Sequence, residues 1–235
     1  MQQHDRRLDR RGYYRSPVTL PEHRIGKRPA NAGRKFPPEP LSRDEVNAIL
    51  SECGSGDPGA RDRAAFTIMY RAGLRIAEVL ALLPKDVDTG GGLVHVLHGK
   101  GDRARVVPID PAAVALIDVW LAHRRELGLD GQQPLICTIM RPNRGDRCWD
   151  SVLREKLKDC GRRAGIAKRV APHGLRHTYA TELAREGVPM NAIRQLLGHK
   201  RLAYTEGYIN ELYPAELARW IHARKWEPPS AHAAS

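Results

Sequence analysis

Acidic residues are scarce in this chain: 27 Asp and Glu stand against 39 Lys and Arg over 235 residues, a formal net charge of +12. Long apolar runs are missing too. No stretch approaches eighteen uninterrupted apolar residues, so no membrane-spanning helix is expected. The opening MQQHDRRLDRRGYYRS has charges but no apolar h-region, so it does not read as a secretory signal. The four cysteines (Cys53, Cys137, Cys148 and Cys160) form no CxxC pair and no regular framework. That points to reduced thiols and a cytoplasmic protein rather than a disulfide scaffold or a zinc site. There is no GxxxxGK[ST] loop and no acidic cluster with metal-ligand spacing, so neither a nucleotide cofactor nor a metal is expected. No internal repeat is visible.

What the chain does have is positive charge and helical patterning. A basic surface attracts phosphate backbones or anionic lipid, and nucleic acid is the commoner partner of a basic domain without membrane segments. A merely solvated basic surface is the competing explanation. The charge is unevenly spread. Residues 1–40 hold ten Lys and Arg against four Asp and Glu, and six prolines fall between Pro17 and Pro40. Such a segment cannot build a core and reads as a flexible basic arm.

The globular part begins at residue 41. Ser42 and Glu45 have the spacing of a capping box, and Leu41 and Val46 that of a hydrophobic staple, which predicts a helix to about Glu52. Asp57-Pro58 reads as N-cap and N1 of a second helix ending at Gly73. LRIAEVLALL follows as a short helix with Arg75 and Glu78 one turn apart. Val87, residues 93–97 and residues 104–109 are β-branched runs, and HGKGDR between the last two is a glycine-punctuated hairpin turn. Helices are expected after Asp110-Pro111, from Asp150 to about Ala164, and over 173–186, 189–197, 202–210 and 214–224. Gly187 and Gly198 stand where helices end. The fold class is therefore α+β: a mostly helical domain over 41–224 with a small antiparallel sheet, then a tail over 225–235.

Four segments carry candidate chemistry: AGLRIAEVLAL (72–82), GKGDRAR (99–105), PHGLRHTYAT (172–181) and LLGHKRLAYTEGYI (196–209). Singly, each has an ordinary explanation. Arg75 can pair with Glu78 on a helix surface, Lys100 can be a solvated turn lysine, and His199 after a cap glycine can be structural. His173 and Arg176 lie one turn apart at a helix start, where backbone N–H groups also face an anion.

Taken together, in this order, the set resembles the tyrosine recombinases of the phage integrase family, over residues 41–224. The carriers are Gly73-Leu74-Arg75 with Glu78, Lys100 in the hairpin turn, His173 to Arg176, Leu197-Gly198-His199, and Tyr208 nine residues after that histidine. The resemblance implies a catalytic set of Arg75, Lys100, His173, Arg176, His199 and Tyr208. It also implies a double-stranded DNA substrate and a covalent 3′-phosphotyrosine formed without metal or ATP. A homotetramer on two DNA sites is implied as well, joined through the C-terminal helix. Tyr204 and Tyr213 compete with Tyr208 for the nucleophile, and spacing from His199 favours Tyr208. His177 reads as a scaffold residue, and a His173/His177/His199 metal site lacks a completing carboxylate or cysteine.

In PAELARWIHARKW, Leu217, Trp220 and Ile221 form an apolar stripe that can pack on its own domain or on a neighbour. Family members usually carry a DNA-clamping helical domain before the catalytic one, and here the basic arm stands in that place. A DNA-relaxing enzyme of the type IB topoisomerase kind and a non-cutting DNA-binding relative are the alternatives.

Overall fold

In the computed structural model, the described residues are 39–97, 104–129, 131–198 and 221–228. The chain divides into two compact units, Met1–Pro37 and Pro38–Ser235, and all described residues lie in the second. The expected basic arm, Lys100, His199, Tyr204, Tyr208 and Tyr213 lie outside the described residues, as do the segment 202–210 and most of the segment 214–224 for which helices were expected.

Helix α1 spans Arg43–Ser51 and starts at the anticipated capping box. The Glu45 N–H donates to Ser42 Oγ at 3.1 Å, and the Ser42 N–H donates to Glu45 Oε2 at 2.7 Å. Helix α2 runs Gly56–Arg71 with Ser55 as its N-cap, two residues earlier than the Asp57 cap expected from sequence. The difference has a local cause. Glycine at 56 adopts φ +69, which lets the chain turn into the helix before the Asp-Pro pair. Asp57 instead meets His123 Nδ1 at 2.7 Å.

Helix α3 is a single turn, Ile76–Val79, followed by a 3₁₀ turn at Pro84–Asp86. Strands β1 (Val87–Asp88), β2 (Leu93–Val96) and β3 (Arg105–Pro108) pair antiparallel in the order β1-β2-β3. Val94 pairs with Val107, and Val94, Val96 and Val107 face the core. Then come α4 (Pro111–Glu126), α5 (Asp150–Arg163), α6 (Pro172–Arg185) and α7 (Met190–Leu197). Asp110 caps α4 by accepting from the Ala113 N–H at 3.1 Å, and Pro111 occupies N1. The α+β class and the three-stranded sheet match the expectation. None of the helices among the described residues is long and apolar enough to cross a membrane.

The centre of the fold is α2, which buries residues from Ala60 to Arg71 and packs against α4 and α6. Among the charged groups buried beside the apolar core is one hub centred on Glu182. Glu182 on α6 accepts from Tyr70 Oη at 2.7 Å, from Arg71 Nη1 at 3.3 Å and from Arg224 Nη2 at 2.6 Å. Arg71 also donates to Asp110 Oδ2 at 2.6 Å. A buried charge is tolerated only when it is paired and hydrogen-bonded, and these groups meet that condition mutually. Arg224 brings residues 221–228 onto this domain's own surface. Ile221 and Trp226 are buried, Trp226 Nε1 donates to Asn47 Oδ1 at 2.7 Å, and Arg43 Nη1 donates to the Lys225 carbonyl at 3.0 Å. Packing thus continues beyond residue 224.

Candidate functional site

Arg75 is the N-cap of α3, placed there by a glycine. Gly73 adopts φ +62, and its carbonyl accepts a hydrogen bond from Arg176 Nη1. A Cβ at position 73 would lie 2.4 Å from Tyr179 Cδ1 and 3.0 Å from Leu197 Cδ2. Glycine is therefore required by both dihedral and space. Gly73→Ala is expected to destabilise the domain by about 2–4 kcal/mol, the left-handed strain and the overpacking together, read as a lower urea midpoint with unchanged m.

Glu78 gathers the arginines. Its carboxylate accepts from the Arg75 N–H at 2.8 Å and from Arg75 Nη1 at 2.9 Å. Arg105 bonds the same carboxylate through both Nη atoms, at 3.1 and 2.9 Å. Arg176 Nη1 stands 3.9 Å from Glu78 Oε2. Burial alone would raise the Glu78 carboxyl, but the hydrogen bonds and charges of Arg105 and Arg75 outweigh it and hold the group below its ordinary value. Three guanidinium groups thus surround one ionised carboxylate, a local excess of two positive charges.

Arg176 sits in the middle turn of α6 and is almost entirely buried. Burial, then the charges of Arg75 and Arg105, bring its guanidinium down to about 10, so it stays charged at neutral pH. It donates to the Gly73 and Leu197 carbonyls, while Arg105 Nε donates to the Leu196 carbonyl at 2.9 Å. Two arginines therefore satisfy the orphan carbonyls at the C-terminus of α7, where the helix dipole also favours cations. Gly198 ends that helix in the left-handed region at φ +63, and a Cβ there would stand 3.1 Å from Arg105 Nη1.

His173 lies exposed at the second position of α6, one turn before Arg176, as its spacing implied. Its neighbour His177 is pushed below the ordinary imidazole value by burial first and by His173 second, so it is neutral at pH 7. The structure therefore brings Arg75 and Arg176 together and sets His173 on the same helix as Arg176. Lys100, His199 and Tyr208 lie outside the described residues. Arg105 was missed as a member. The signal for it was strand alternation: residues 105 and 107 share a face of β3, and Val107 is buried, so Arg105 must point inward at the sheet's end.

The model of the phage integrase family matches residues 39–214, which takes in every element from α1 to α7. The chain belongs to the phage integrase family. Tyrosine recombinase XerC of Vibrio parahaemolyticus serotype O3:K6 is 35% identical over 183 residues, 77% of this chain and 57% of that protein. Tyrosine recombinase XerD of Lacticaseibacillus casei is 35% identical over 174 residues, 74% of this chain and 58% of that one. This phage integrase family chain thus spans less than two thirds of the length of these relatives. Among solved structures, XerA recombinase superposes with a TM-score of 0.62 at 29% identity, covering 86% of this chain and 71% of that one. XerH site-specific recombinase, bound to palindromic difH substrate in a post-cleavage complex, gives 0.60 at 26% identity, covering 83% and 55%.

Proposed function

We propose that this chain is the catalytic domain of a site-specific recombinase that cleaves and rejoins double-stranded DNA through a covalent 3′-phosphotyrosine. The observation that carries the proposal is the cluster of Arg75, Arg105 and Arg176 around Glu78. It offers a surplus of positive charge, and Arg75, the most exposed of the three with 30% of its side chain accessible, opens it to solvent. A phosphodiester repels nucleophiles, and its pentavalent transition state concentrates charge on the non-bridging oxygens. Arg75 and Arg176 neutralise that charge, with rigid forks that cannot lose their protons at neutral pH. Arg105 and Glu78 act through them, as positioning residues.

In this reading Tyr208 attacks phosphorus in line, its phenolic proton passing to His173, while His199 donates a hydrogen bond to a phosphate oxygen. The bond from phosphorus to the 5′ oxygen breaks, and Lys100 protonates the departing oxygen. Rejoining is the reverse, with the 5′-hydroxyl attacking the phosphotyrosine, so bond energy is conserved without ATP. Four copies on two duplexes complete the exchange. Because residues 221–228 seat on their own domain through Arg224 and Glu182, any swap of the C-terminal helix between copies must first release that seat.

A nicked duplex that loses its 5′-hydroxyl fragment after cleavage traps the intermediate. The protein is expected to give a protease-sensitive, detergent-resistant protein–DNA band on its cognate site. No band on any site selected from a randomised pool would sink the catalytic reading and leave a non-cutting DNA-binding protein. Relaxation of a supercoiled plasmid without exchanged products would keep the chemistry but replace recombination by relaxation.

A further inference from the structure

Residues 137–149 leave the core and return to it as a tightly stitched loop. The Thr138 N–H donates to the Asp146 carbonyl at 2.7 Å, and the Gly145 N–H donates to the Thr138 carbonyl at 2.7 Å. Cys137 and Arg147 form an isolated antiparallel bridge, and Arg61 holds the base of the loop by donating to the Cys137 carbonyl at 3.4 Å.

The tip is apolar and exposed. Met140 is 72% accessible and Trp149 69%, and Val152 in the first turn of α5 is 47% accessible. Half of the six large exposed hydrophobics among the described residues fall inside 140–152. The same loop carries Arg141, Arg144 and Arg147, all exposed, against the single acid Asp146. A stitched backbone that leaves a tryptophan exposed, in a segment that also carries three exposed arginines, is built to be covered by something anionic with apolar faces.

Its position on the domain points the same way. Arg154, one turn into α5, lines a groove of about 840 Å³ together with Lys158, Arg162, Lys168 and Arg169, and with the acids Glu155 and Asp159. Pro172, the residue before His173, also lines it. Five basic side chains against two acidic ones thus line a groove that includes the first residue of the helix carrying the candidate site.

We infer that this loop reads DNA sequence: Trp149 packs on base edges in a groove while Arg141, Arg144 and Arg147 fix the flanking phosphates. The inference rests on the proposed function, since it takes duplex DNA as the substrate. Arginine–phosphate contacts give affinity and register, and an apolar side chain against a thymine methyl gives base preference.

The test is selection from a randomised duplex pool, followed by affinity measurement across salt. The proteins are wild type, Trp149→Ala, Trp149→Phe and the triple variant Arg141→Gln/Arg144→Gln/Arg147→Gln. All four substituted side chains are exposed, so equal melting temperatures are expected and serve as the folding check. Wild type is expected to enrich a motif, Trp149→Phe to keep it, and Trp149→Ala to lose preference over one contiguous block of about two or three base pairs. The triple variant is expected to bind at least tenfold more weakly and to lower the slope of log affinity against log salt by about 2–3. An unchanged motif in Trp149→Ala with an unchanged slope in the triple variant overturns the inference. So does a change of oligomeric state in Trp149→Ala with its motif intact, which would assign the surface to a protein partner. Covalent trapping by wild type separates the two levels: trapping with an unaltered motif in Trp149→Ala and an unaltered slope in the triple variant removes only the loop's role, and no trapping at all removes the catalytic reading beneath it.

Discussion

Tyr208→Phe is expected to reduce covalent trapping by about 10⁴-fold or more, to the background of the assay, while DNA affinity stays within a few-fold of wild type. The substitution removes one oxygen and keeps the ring, so packing and charge are preserved. In the proposed mechanism, what disappears is the atom that bonds phosphorus, and no other group within a preorganised site can replace it in line. Loss of a proton acceptor or an oxyanion contact slows a step, whereas loss of the nucleophile deletes it. Tyr204→Phe and Tyr213→Phe are expected to trap DNA normally, since their spacing from His199 is wrong for the same attack. A band that survives in Tyr208→Phe and vanishes in Tyr204→Phe would move the nucleophile to Tyr204. The scissile phosphate would then have to approach the Arg75–Arg176 cluster from a different angle.

The elements that were legible in the sequence are those whose causes are local. Ser42 and Glu45 specify a helix start by themselves, and the structure holds both hydrogen bonds of that box. Asp110-Pro111 and the β-branched runs at 93–97 and 104–109 likewise carry their own instructions. The α2 start slipped by two residues because a left-handed glycine at 56 outranked the Asp-Pro signal. The site divides along the same line. Arg75 and Glu78 are three residues apart and were visible as a pair, and that pairing does form. It does not compete with a phosphate-binding role, because Glu78 is shared by Arg105 from a strand 27 residues away.

Arg105, and the Arg71–Glu182–Arg224 hub, violate the hydrophobic pattern that identifies core positions. A buried ion pair looks like two surface residues until its partner is known, and Arg71 and Glu182 are 111 residues apart. Spacing rules do not reach that far. The resemblance supplied what spacing could not for Arg176, whose burial on α6 nothing in PHGLRHTYAT announces.

Arg176→Lys is expected to slow covalent complex formation by about 10²–10³-fold on a cognate nicked duplex, comparable to the loss of an oxyanion contact in other acyl- and phosphoryl-transfer sites. Two effects combine. The guanidinium fork reaches the Gly73 and Leu197 carbonyls at once, which a single ammonium cannot do. The same burial and the same neighbours that bring Arg176 down to about 10 would act on a lysine that starts lower, leaving it a smaller margin of protonation above neutral pH. Part of the defect would be structural, because α6, α7 and the Gly73 turn lose their common anchor. A substrate with methylphosphonate in place of the scissile phosphate separates the parts, since one charged oxygen becomes a methyl group. If Arg176 neutralises that oxygen, the ratio of wild-type to variant rates must shrink on the methylphosphonate. If Arg176 only braces the fold, the ratio stays as it was on the phosphodiester, and the two-arginine grip reduces to Arg75 alone.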